Sequence, residues 1–242
     1  MDMSSAQVLS DLPQLLRDYK NDRFKHLAFS MVKTGFHKWG FVVYRCTYDD
    51  DDLWNRYLAQ LKDNCRYHLE KYRVDKLLEQ YLDWVVVENR DTLDNASRPT
   101  IRQHFQKWVS SQRAVAWEDE HPGISDLPRF KYCLYVDKKC LDTLEPSQRD
   151  VHPRFREAGT PLVVAIIDRQ WTPNRRGKDN PMDEGGFPPI DGSDRRYVGW
   201  RWQNSIYLSM LYSGLWWCDL DDEISYKRPP AINPVGRESM PE

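Results

Sequence analysis

Arginine and tryptophan crowd together late in the chain, in Asp194-Arg195-Arg196-Tyr197-Val198-Gly199-Trp200-Arg201-Trp202 and the residues running on to Trp217. Four of the ten tryptophans lie there. Guanidinium donors beside flat rings can hold an anion, stack a planar ligand or anchor a protein partner. Strand alternation sets Val198, Trp200 and Trp202 on one face and Tyr197, Gly199 and Arg201 on the other. Arg196, Trp200, Arg201 and Trp202 are therefore candidate ligand-binding residues. The competing reading is that the same rings fill an ordinary core.

Asp168 supplies a second chemistry. It ends the apolar run Leu162-Val163-Val164-Ala165-Ile166-Ile167, where a carboxylate leaves the interior and can act in acid-base or electrostatic catalysis. Its cationic neighbours would be Arg169, next in sequence, and Arg45, the one charged residue on an otherwise apolar strand face. A buried arginine is paired as a rule. Arg45, Asp168 and Arg169 thus form either a structural ion-pair set or part of an anion or substrate site.

Other chemistries lack their signatures. Asp49-Asp50-Asp51-Asp52 could suggest a divalent metal, but a calcium-loop register is missing, and the run directly precedes an amphipathic pattern, as capping acids do. His104 stands alone at the edge of an apolar stripe, with no second ligand one helical turn away. No metal or cofactor is expected. There is no Gly-x-Ser-x-Gly nucleophile turn and no phosphate-cradling glycine motif. Cys46, Cys65, Cys133, Cys140 and Cys218 are odd in number and widely spaced, which reads as reduced thiols, with Cys133 and Cys140 as core filler.

The elements that position these residues follow from hydrophobic period. Residues 11–33 read as one or two helices, and 40–48 as a strand with Phe41, Val43, Arg45 and Thr47 on one face and Val42, Tyr44, Cys46 and Tyr48 on the other. Trp54, Tyr57, Leu61, Cys65 and Leu69 mark a long helix. Further strands are expected at 83–88, 130–137, 161–171 and 197–202. Ser97 with Pro99 starts a helix striped by Ile101, Phe105, Trp108 and Val109. Residues 138–144 form a short helical piece, and helical period resumes at Asn204 with Ser205, Ser209 and Ser213 as a small-residue stripe for close packing. The expected fold is α+β in one domain, with a mainly antiparallel sheet, helices on one face and ferredoxin-like character. Its parts are an N-terminal helical flank (1–38), a core (39–227) containing a long Gly/Pro loop (172–193), and a Pro-containing tail (228–242).

Composition excludes several classes. Of the 242 residues, 35 are basic and 37 acidic, which argues against a protein held to duplex nucleic acid mainly through phosphates. No apolar run approaches the roughly 20 residues of a membrane helix. The start of the chain lacks a secretory pattern, so a cytoplasmic or nuclear setting is expected.

Trp39-Gly40-Phe41-Val42-Val43-Tyr44-Arg45-Cys46-Thr47-Tyr48, with Phe130 to Asp137, Val163 to Trp171, Arg195 to Trp202 and Tyr226-Lys227-Arg228-Pro229-Pro230, resembles a family of uncharacterised filamentous-fungal proteins. The likeness covers most of the chain from residue 39 onward. It implies a cytosolic fungal protein, with no activity or site residues to carry over. The leading expectation is a module that binds a small anionic ligand or a protein partner through the aromatic and arginine patch. The alternative is a metal-independent small-molecule enzyme around Asp168, and the third is a single-stranded nucleic-acid binder stacking bases on Tyr197, Trp200 or Trp202.

Overall fold

A computed structural model describes residues 2–20, 23–112, 122–150, 156–173, 184–222, 226–233 and 239–240. The chain runs α1 (Lys25–Thr34), β1 (Val42–Arg45), α2 (Asp51–Lys71), α3 (Asp75–Leu78), β2 (Val85–Val87), α4 (Arg90–Leu93) and α5 (Arg98–Ser110). It continues through α6 (Pro128–Lys131), β3 (Tyr132–Val136), α7 (Lys138–Leu141), α8 (Leu144–Arg149), β4 (Val163–Asp168), β5 (Trp200–Asn204), α9 (Leu208–Gly214) and β6 (Ile232–Asn233).

The fold is α+β around one mixed sheet of order β2-β1-β3-β4-β5-β6. The expected antiparallel character holds only for β3–β4 and β4–β5. The β1–β2, β1–β3 and β5–β6 pairs are parallel. The cause lies in the connections, because α2 and α5 are long crossovers and a crossover returns the chain parallel to its starting strand. This is not the antiparallel, ferredoxin-like arrangement that the order of elements suggests.

Helices cover both faces of the sheet rather than one. Arg45 reaches Trp54 of α2, 5.1 Å from the ring centre, whereas its strand neighbour Tyr44 packs edge-on against Phe105 of α5 at 6.3 Å. Adjacent strand residues point to opposite faces, so α2 and α5 flank opposite sides. β4, whose apolar run has no alternation, lies between β3 and β5 with Val163 to Ile167 fully buried.

α2 begins where the aspartate run predicts. Asp50 is the N-cap, accepting the Leu53 N–H at 2.7 Å, with Asp51 and Asp52 in the first turn. Its buried stripe is Trp54, Tyr57, Leu61, Cys65 and Leu69, with Asn64 and His68 buried among them. Ser97 caps α5 by accepting from Thr100 N–H at 3.3 Å.

The termini differ from expectation. The N-terminal flank is a series of short 3-10 turns at Met3–Ser5, Leu9–Asp11 and Leu16–Asp18, and only α1 is a regular helix. β5 starts at Trp200 and not at Tyr197. The part of the tail at Ile232–Asn233 adds a parallel strand beside β5, anchored by Asn233 Nδ2 on the Trp202 carbonyl at 3.1 Å. Of the expected Gly/Pro loop, 174–183 lie outside the described residues. One cluster of buried side chains, from Met3 to Met240, draws on every layer.

Candidate functional site

The register separates two residues that the sequence made possible partners. Val42 lies beside Cys133 and Arg45 beside Val136, while Asp168 lies opposite Tyr132. Arg45 and Asp168 therefore occupy opposite ends of the sheet. Buried Arg45 donates from Nε to the Thr47 carbonyl at 2.9 Å, pairs through Nη2 with Asp51, and lies 4.4 Å from the centre of the Tyr48 ring. Asp168 accepts from the Tyr197 hydroxyl at 3.0 Å and from the Gln170 N–H at 2.8 Å. The cation that sequence reading missed there is Arg102 of α5. Its Nε donates to the Asp168 carbonyl at 2.8 Å and its Nη2 to that of Gly199 at 3.3 Å, with the guanidinium 4.8 Å from the Trp171 ring centre. Arg102 sits inside an apolar helical stripe, and a charge at a core position was the available signal.

The strand part of the aromatic patch is interior, whereas Trp217 at its far end is 72% exposed. Trp200, Arg201 and Trp202 are 3, 4 and 4% exposed. The two indoles meet edge-to-face at 5.1 Å on the α5 side, where Arg98 lies 4.0 Å over Trp200 while forking onto Asp191 at 2.8 and 2.9 Å. Arg201 points to the other face among Tyr197, Tyr226 and Tyr132, and burial pulls its pKa down to about 10. Burial also lowers Arg169, whose Nε has no hydrogen-bond partner among the described residues. The Arg196 main chain donates to the Glu184 carbonyl at 2.9 Å. Trp200, Arg201 and Trp202 therefore form neither an exposed stacking platform nor a shared anion cradle.

A different set of polar residues converges on the edge where β1 and β3 end. A cavity of about 140 Å³ opens there among α2, the end of α8, the start of β4 and the end of β5. Asn204, 9% exposed, accepts the Ile206 N–H on Oδ1 at 3.1 Å. That bond fixes which amide atom is oxygen, and Nδ2 is left with no hydrogen bond among the described residues. Arg156 is held through Nη2 by Asp63 at 2.7 Å and by Asn64 Oδ1 at 2.8 Å, against the Tyr67 ring. Its Nε and Nη1 make no hydrogen bond among the described residues.

Acceptors line the same cavity. Gln60 donates from Nε2 to Asn64 Oδ1 at 3.1 Å, which leaves its Oε1 open. Asp150 accepts the Thr160 N–H and hydroxyl on Oδ2, at 3.1 and 2.8 Å, which leaves Oδ1 open among the described residues. A second, more apolar cleft of about 520 Å³ shares the Thr160–Pro161 wall and continues over Pro146, Val163, Ile232 and Met240.

Beneath the cavity, Asn64 Nδ2 donates to the Ser205 hydroxyl at 2.7 Å, and His68 Nδ1 lies 2.6 Å from the Ile206 carbonyl. Glu157 collects the Tyr67 hydroxyl at 2.8 Å and the Lys71 ammonium. Those contacts hold its carboxyl down at about 2 even though burial opposes it. None of this cavity was singled out from sequence. Asn64 and His68 on an apolar helix stripe were the visible clue, because a buried polar side chain needs a partner.

Among the described residues no cluster of three His, Cys, Asp or Glu side chains could hold a metal ion, and no helix is long and apolar enough to cross a membrane. Cys46, Cys65, Cys133 and Cys140 are free and buried, and Cys218 is free and exposed. The chain matches no known protein family, no curated protein and no solved structure.

Proposed function

We propose that this protein is a small-molecule binding module whose site is the paired clefts at the carboxyl edge of β1 and β3. The supporting observation is the Asn204 amide, nine-tenths buried and with its nitrogen unpaired at the cavity wall. That nitrogen faces the open cavity, where a ligand that accepts from it takes the place of water. The polar cavity would seat a head group and the adjoining apolar cleft a hydrocarbon part, the usual division of labour in a ligand pocket.

The aromatic and arginine patch contributes to this reading as scaffold, since β5 carries Asn204 at its end. The catalytic alternative around Asp168 draws less support, because both carboxylate oxygens already accept hydrogen bonds. Base stacking on Trp200 or Trp202 would require those rings to leave the core.

Native mass spectrometry of the protein from its own source, compared with the denatured mass, tests the reading. A reproducible added mass that disappears on denaturation is expected, and it should be lost in a Thr160→Trp variant that blocks the shared wall. A bare native mass would overturn it.

A further inference from the structure

We infer that the polar cavity reads the α-ammonium and α-carboxylate of a free amino acid with an apolar side chain. This rests on the ligand-binding reading above and specifies the ligand.

The charged residues that line the cavity are Arg156 and Asp150 among the described residues, one of each sign, with Arg156 also paired through Nη2 to Asp63. A lone carboxylate would gain Arg156 but face Asp150, and a lone amine would meet the reverse. A zwitterion satisfies both. The open hydrogen-bonding atoms fall into the same two sets: donors on Asn204 Nδ2 and on Arg156 Nε and Nη1, acceptors on Asp150 Oδ1 and Gln60 Oε1. Donors suit a carboxylate, acceptors an ammonium group.

Size agrees with this division. A cavity near 150 Å³ holds a molecule as large as benzene. The cavity of about 140 Å³ therefore accepts the five-heavy-atom head of an amino acid with little room left. The side chain would have to lie outside the cavity, and on the far side of the shared Thr160–Pro161 wall is a cleft floored by Val163, Ile232 and Met240, with Lys139 and Asp142 also lining it. A branched aliphatic side chain fits that floor better than a polar one.

Isothermal titration of the full chain with L-leucine, 4-methylpentanoate and 3-methylbutylamine removes one head charge at a time. Saturable leucine binding is expected, with each truncated analogue at least about tenfold weaker, in line with the cost of leaving one charged hydrogen-bonding group unpaired. Asn204→Asp keeps the oxygen that accepts from Ile206 and replaces the donor with a second carboxylate oxygen. It should weaken leucine binding by at least about tenfold with an unchanged circular dichroism spectrum. Arg156→Gln is the companion variant should Asn204→Asp fail to fold.

Either analogue binding as tightly as leucine, or a folded variant binding leucine normally, overturns the assignment. Octanoate binding without leucine binding overturns the amino-acid ligand and leaves the clefts as a ligand site. Binding of none of these probes, with no co-purifying mass, removes both readings.

Discussion

His68 Nδ1 lies 2.6 Å from the carbonyl oxygen of Ile206, so the ring donates there and turns Nε2 toward Glu157 at 3.5 Å. A carbonyl accepts only, so Nδ1 carries the proton in every state. Burial lowers the His68 pKa below its ordinary 6.5, against the opposing pull of the Ile206 carbonyl and Glu157. The ring also packs on Tyr67, Tyr72 and Tyr207, with Lys71 nearby.

The stability consequence has a definite sign. The unfolded chain takes up the His68 proton at higher pH than the folded one, so unfolding binds protons and stability falls as pH drops below 6.5. Glu157 acts in a separate window. Its folded pKa of about 2 against an ordinary 4.5 means that its contribution is lost only as pH falls below 4.5. Thermal unfolding between pH 7.5 and 5 should therefore show a melting temperature that declines with acid. His68→Asn, whose amide nitrogen can take the place of Nδ1, should flatten that decline. His26 shares the lowered direction, so an unchanged slope in His68→Asn would take the effect away from His68 and make His26→Asn the next variant to measure.

The interior placement of the aromatic patch predicts stability phenotypes. Trp200→Ala empties the space between Arg98 and Trp202 and should cost about 3–5 kcal/mol, the range for deleting a buried aromatic. Arg201→Ala removes a guanidinium that is 4% exposed and should cost more than about 1 kcal/mol. Urea unfolding gives both numbers. Losses under about 0.5 kcal/mol would place these side chains on a surface.

That patch shows how far sequence carries. The period of Trp200 and Trp202 identifies a strand, but alternation cannot tell a strand with one exposed face from one covered on both. The stripes of α2 and α5 and the burial of β4 were legible because each is a local pattern. Strand direction was not, since it depends on crossovers whose length is visible and whose path is not. The cavity was least legible: Asn64, Asp150, Arg156 and Asn204 meet only through the register of β4 on β5 and the packing of α2 over it. Arg102 and Arg45 repeat the lesson, since a charge on an apolar face announces a partner without naming it.

The aspartate run offers a graded test of capping against metal binding. Asp50 alone accepts the Leu53 N–H, and Asp51, 77% exposed at its side chain, pairs with Arg45. Asp50→Ala should cost about 1 kcal/mol, a typical N-cap loss, and Asp52→Ala no more than about 0.5 kcal/mol. Addition of calcium or magnesium should leave the wild-type melting temperature unchanged. Equal costs at Asp50 and Asp52 together with metal-dependent melting would contradict the capping account.

Gly199 is where the backbone beside Asp168 leaves no room for substitution. Its φ is +75°, and its carbonyl accepts from Arg102 at 3.3 Å and from the Asp168 N–H at 2.9 Å. A Cβ there would overlap the Trp171 side chain. Gly199→Ala therefore combines a left-handed penalty of about 1–2 kcal/mol with overpacking of about 1–3 kcal/mol. Gly186 is the control. Its φ is +94° and no described atom lies within 4 Å of where the added methyl would sit, so Gly186→Ala carries the backbone penalty alone. Chemical denaturation of the two variants should separate them by at least about 1 kcal/mol, with Gly199→Ala the less stable. Equal losses would mean that Trp171 yields freely, and that the Arg102–Gly199–Asp168 junction is looser than its hydrogen bonds imply.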